Sequence, residues 1–187
     1  MNSFRLHDDP VISASWHCDR HEPKMILETG QFLSAVWHRY GQEFPGIYKL
    51  THKNHPVTLW AGDSAGNYSW RVALMLALNA QRVARGKPEH ATITRLAPYI
   101  LTPPEGVPEG LETTHPMCMP DECKVPGDVP LSYRQYYMAK EREWRRRDKT
   151  IYKTYKGRGT HVRINSTWHN ITTNEQTSTN TEQAPRE

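Results

Sequence analysis

With 187 residues, the chain is long enough for one domain and a tail and short for two ordinary domains. Hydrophobic residues make up 36% and the mean hydropathy is −0.79, and no run approaches the ~18 apolar residues of a spanning helix, so no membrane-spanning helix is expected. The net charge is only +4, but Lys and Arg cluster late, in Lys140–Arg147 and Lys149–Arg158. That asymmetry favours an anionic partner, nucleic acid first, over the plainer alternative of a solvated helix face.

Three cysteines, Cys18, Cys118 and Cys123, form no disulfide framework and fit reduced thiols. The stretch MNSFRLHDD carries no apolar signal region, so a cytoplasmic protein is expected.

Residues 1–10 read as an extended lead-in, with Asp8, Asp9 and Pro10 as helix-start chemistry. Apolar positions from Val11 to Trp37 recur at helical spacing, and Pro23 must kink that helix or begin a second one. Residues 41–62 look like a connection punctuated by Pro45, Gly46 and Pro56, in which Tyr48, His52, His55 and Trp60 can wall the first helix or serve as ordinary loop packing. Asp63 or Ser64 caps the next helix, NYSWRVALMLALNAQRVARG, which is apolar nearly all round and reads as the central core helix. Arg82 and Arg85 in its last turn suit the helix dipole, and Gly86 suits its stop.

A short helix over Ala91–Tyr99 precedes Leu101–Pro130, where proline and glycine rule out regular structure. The next helix, LSYRQYYMAKEREWRRR, interleaves aromatic rings with cations, a composition suited to bases and phosphates. From about Asn165 the chain has almost nothing to bury. The organisation expected is an all-α domain over 1–160 with an irregular insert at 101–130, followed by a disordered polar tail over 161–187.

The densest chemistry lies in Trp16–Gly30, WHCDRHEPKMILETG. On one unbroken helix His17, His21, Lys24 and Glu28 share a face. A metal-dependent hydrolase built on HCDRH is one alternative, although the HExxH pattern is missing. There is no G-x-S-x-G elbow and no phosphate-cradling loop. An amine and a carboxylate one turn apart suit imine chemistry at a sugar carbon, whereas by spacing alone a surface Lys24–Glu28 pair is the plainer account.

The pattern Asp19-x-His21-x6-Glu28 resembles that of the phage pyrimidine-dimer DNA glycosylase/lyase family called endonuclease V. NHP at Asn54–Pro56, Arg85-Gly86 at a helix end and YRQYY before a basic stretch follow the same order. A group of phage proteins with the pattern HCDKHxxKMxLE is a closer match. The glycosylase resemblance implies a compact all-α monomer acting on double-stranded DNA without a cofactor, by flipping a nucleotide while an N-terminal amine attacks the sugar. It maps the catalytic carboxylate onto Glu28 and a DNA-contacting histidine onto His21. Asn2 stands where that family has its nucleophilic threonine, and Leu27 and Gln31 replace two arginines. The nucleophile is then Lys24, the terminal amine, or absent.

The expectation is a base-excision DNA glycosylase with AP-lyase chemistry in a phage-infected host, with Glu28, Lys24, His21 and His17 as catalytic candidates. Arg20, His52, His55, Tyr133, Arg134, Tyr137, Lys140, Arg145 and Arg146 are the nucleic-acid-binding candidates. A non-catalytic nucleic-acid-binding protein is the main alternative.

Overall fold

The computed structural model describes residues 2–148 and the short strands Thr160–Ile164 and Thr167–Ile171. The described residues form an all-α domain of six helices, and the two strands pair antiparallel as a hairpin. The hairpin falls at the start of the segment expected to be a disordered tail, and the rest of that segment lies outside the described residues.

The region from Val11 to Trp37 is two helices and not one kinked helix. Helix α1, Pro10–Ser15, starts with proline in its first turn and is capped by Asp9, whose carboxylate accepts from the Val11 and Ile12 amides. Helix α2, His21–Arg39, restarts after a five-residue break, with the amides of His21 and Glu22 both donating to the Cys18 carbonyl at 3.0 Å. Pro23 thereby falls in the first turn of α2, where its missing N–H has no intrahelical partner to lose.

Pro56 begins helix α3, Pro56–Asp63, capped by His55, so the expected connection over residues 41–62 ends early. Ser64 caps the long helix α4, Ala65–Ala84, by accepting from the Asn67 amide. Helix α4 packs against α1, α2 and α3 as the central element. Helix α5, Ala91–Ile100, lies on α2 at Gly30, where an added Cβ would come within 2.4 Å of Thr92 Cγ2. A glycine is required there by close approach.

The Pro-rich insert has little regular structure, a single 3-10 turn at Asp121–Cys123, yet it is pinned to the helices. The amides of Ala65 and Gly66, which have no intrahelical acceptor at the start of α4, donate to the carbonyls of Pro108 and Gly110. Asn67 clasps Thr113 through both its amide atoms, and Trp60 Nε1 donates to the Thr113 carbonyl. Helix α6, Val129–Asp148, closes the domain.

Between α2, α4 and α6 runs the N-terminal segment, with Ser3, Phe4, Arg5 and Leu6 all buried. The Phe4 ring packs on His21 of α2 and on Tyr133, Tyr136 and Tyr137 of α6. Arg5 lies over Trp70 of α4, and Arg134 of α6 donates to the Leu6 carbonyl.

Candidate functional site

The buried lead-in segment delivers Asn2 to the third turn of α2. Its main-chain N–H donates to Glu28 Oε2 at 3.0 Å, while Lys24 Nζ approaches Glu28 Oε1 at 3.7 Å. One helical turn separates Lys24 from Glu28 along α2, so helix geometry sets that pair. The third partner, Asn2, arrives from the far end of the segment.

Glu28 is 7% exposed, and the Lys24 side chain is 59% exposed. The carboxylate is therefore recessed and its lysine opens to solvent. The Asn2 side chain is fixed from both sides: Nδ2 donates to the Cys118 carbonyl at 2.8 Å and Oδ1 accepts from the Ser3 amide at 2.7 Å. The Pro-rich insert thus supplies one wall of the site, a role its composition does not disclose.

Behind Glu28 lies a buried polar network. The Arg71 guanidinium donates to Ser3 Oγ and, at 2.9 Å, to Thr29 Oγ1. Burial lowers its pKa to about 10, against the raising influence of Tyr133 and Glu28. His115 Nε2 lies 3.4 Å from Ser3 Oγ and its Nδ1 lies 2.9 Å from the Pro116 carbonyl. Burial, with Arg71 and Arg5 nearby, holds the His115 pKa well below its ordinary value, so the ring is neutral. A carbonyl can only accept, which places the His115 proton on Nδ1 and leaves Nε2 to accept from Ser3. Tyr133 donates its hydroxyl to the same Pro116 carbonyl and accepts from the Cys118 amide.

Of the four residues expected on one helical face, His21, Lys24 and Glu28 stand on α2 at i, i+3 and i+7, and His17 does not join them. His17 lies in the break before α2, with its Nδ1 2.8 Å from the Ser13 carbonyl. His17 and His21 are 1% and 4% exposed, so neither is placed to touch a substrate. His21 is packed among Phe4, Tyr137 and Trp144. Burial pushes the His17 pKa down to about 4, and burial together with His17, Lys24, Arg20 and Lys140 pushes that of His21 down to about 2. Both are neutral packing residues near neutral pH. Among the described residues no three His, Cys, Asp or Glu side chains are arranged to hold a metal ion, so HCDRH does not converge.

The expected aromatic and basic face also divides. Tyr133 and Tyr137 point inward and are buried, so their rings are not open for base stacking. Tyr137 accepts from the Cys18 amide at 2.7 Å. Arg134 is half-buried, bound to the Leu6 carbonyl and set over Trp16. Arg20 is exposed over Trp144, and Lys140 pairs with Glu143 over the half-buried Tyr136. Arg146 is exposed, and the side chain of Arg145 lies outside those described. His55 serves as the α3 cap against Phe32, whereas His52 is an exposed turn residue with φ of 52°.

Asn2, Ser3, Arg71, His115 and Cys118 were not anticipated as site residues. The one local signal, bearing on Asn2 and Ser3 alone, was the apolar pair Phe4 and Leu6, which gives the lead-in segment something to bury. In comparisons with known proteins, no family model, curated protein or solved structure matches the chain.

Proposed function

We propose that this protein acts on DNA as a base-excision glycosylase with AP-lyase chemistry, with Glu28 as the catalytic carboxylate. The observation that carries this reading is the meeting of two nitrogens, Lys24 Nζ and Asn2 N, with the two oxygens of a recessed carboxylate. Arg20 lies over Trp144, which packs on His21, and Lys140 lies over Tyr136, which shares the Phe4 ring with His21, so both stand with Lys24 near the start of α2. Such a rim suits phosphate.

An amine attacks C1′ of the target nucleotide, and the bond to the base breaks with its electron pair leaving on the base, which takes up a proton. Glu28 takes the proton lost by the amine and passes it to the ring oxygen O4′ as the C1′–O4′ bond breaks to give the protonated imine, while the departing base takes its proton from solvent. Elimination of the 3′ phosphate then cleaves the strand. Of these two nitrogens, Lys24 Nζ is the amine in the intact chain. The Asn2 nitrogen is an amide while Met1 is attached, and it becomes a nucleophile only as a free α-amine.

Borohydride trapping on duplexes carrying abasic sites, photodimers, or oxidised or alkylated bases tests this directly. The expected adduct maps by mass spectrometry to Lys24 or residue 2, and Glu28→Gln lowers base release by about 10²-fold or more. Base release without an adduct removes the lyase step. No release on any duplex removes the glycosylase, and DNA binding that survives Glu28→Gln then favours a non-catalytic binding protein.

A further inference from the structure

We propose that Arg71 is a positioning residue of this site: by bonding both Ser3 and Thr29, its guanidinium sets the nitrogen of residue 2 against Glu28. The inference rests on the reading of Glu28 as the catalytic carboxylate, which the nitrogen of residue 2 holds as a hydrogen-bond donor in the intact chain and meets as a free amine only once Met1 is removed.

Arg71 stands on α4, is 1% exposed, and lies over the Phe32 ring. Its hydrogen-bond partners among the described residues are two hydroxyls, with no carboxylate, and its Nε has none there. A buried guanidinium held in this way adds little to stability, because an apolar side chain of similar volume often serves as well or better. What an apolar side chain cannot do is hold two separate segments in register. Ser3 follows Asn2 and Thr29 follows Glu28, so one rigid planar group fixes the residues adjoining both members of the pair.

The network around Arg71 is directional. Arg71 occupies Ser3 Oγ as a donor, which leaves the serine proton free for His115 Nε2, and His115 in turn donates to Pro116. The chain of bonds is satisfied with His115 neutral, its ordinary state in this burial. Its far end is the same insert whose Cys118 carbonyl grips the Asn2 side chain. Arg71 therefore fixes Asn2 from two directions.

Amide hydrogen exchange on the full chain, read residue by residue by NMR, tests the link without recourse to activity. In Arg71→Met the Asn2 amide should exchange about tenfold faster or more, while the α4 core amides of Leu74 and Leu78 keep their protection. Arg71→Lys should behave like Arg71→Met, since an ammonium does not reproduce the two-pronged planar contact. Unchanged protection at Asn2, or loss merely in proportion to Leu74 and Leu78, overturns the proposal. If Arg71→Met does not fold, Ser3→Ala is judged by the same criterion. On a cleaved duplex, Arg71→Met should lower kcat for imine trapping and leave KM unchanged. A wild-type protein inert towards DNA removes the glycosylase reading, and the exchange result still decides whether Arg71 positions residue 2.

Discussion

The Asn2 main-chain N–H donates to Glu28 Oε2 over 3.0 Å, although the two residues are 26 positions apart in the chain. That contact turns a surface-type Lys24–Glu28 pair into a recessed three-point arrangement, and it exists because residues 3–6 are threaded through the helical core. The same threading ties the site to the stability of the whole domain.

Glu22, beside His21, lies buried at the start of α2 and pairs with Arg82 at 3.8 Å and with Arg85 at the end of α4. Glu22→Ala leaves two partly buried arginines without this partner, and a loss of about 3 kcal/mol is expected. The two arginines retain some access to water, which limits the cost. Urea denaturation measures it, and a loss well under 1 kcal/mol would show that the pair is effectively solvent-screened.

The contact of α2 with α5 leaves no room at Gly30, where a Cβ would lie 2.4 Å from Thr92 Cγ2 and 2.9 Å from Leu96 Cδ1. Gly30→Ala should therefore destabilise the protein by about 1–3 kcal/mol despite the higher helix propensity of alanine. Thermal unfolding of Gly30→Ala and of Gly30→Ala/Thr92→Ser gives the check. Removing Cγ2 should return part of the loss.

His17 and His21 are buried and neutral in the folded state, with pKa values pushed down to about 4 and about 2. In the unfolded chain each takes up a proton near pH 6.5. Their contribution is thus intact above that value and is lost as pH falls towards the folded pKa values, because only the unfolded state binds protons in between. The expected slope is up to about 1.4 kcal/mol per pH unit for each histidine. Denaturation midpoints of wild type and His17→Gln between pH 7 and 4.5 should converge as pH drops; parallel curves would assign the acid sensitivity elsewhere.

Tyr137 and Lys140 lie on the same helix, but under the proposed DNA-acting function they should separate stability from binding. Tyr137→Phe removes the acceptor of the Cys18 amide and is expected to cost about 1–2 kcal/mol without altering DNA affinity. Lys140→Glu should leave stability nearly unchanged and reduce the salt dependence of DNA binding by about one unit of log–log slope or more. Anisotropy titrations at several salt concentrations, set beside unfolding curves, distinguish the two.

Much of the secondary structure was legible in local chemistry. Asp9-Pro10, Ser64 and the apolar run of α4 mark helix starts and a core helix by mechanisms that act within a few residues. Pro23 was legible as a discontinuity, but whether it kinked one helix or lay in the first turn of another depended on the His17 and Cys18 contacts around the break. Tyr133 and Tyr137 illustrate a different limit. An amphipathic pattern of rings and cations reads equally well as an open binding face or as a buried edge until a partner is known, and here Phe4 fills the space between them.

By itself the sequence determined that the domain is helical, that Lys24 and Glu28 stand one turn apart, and that its cations concentrate towards the end of the chain, because propensity, capping and i,i+4 spacing are local. The tertiary structure alone decided that the pair is recessed, that Asn2 completes it, and that Arg71 and the Pro-rich insert stand behind it. Those contacts join segments far apart in the chain, and their existence depends on which surfaces the helices leave for one another to bury.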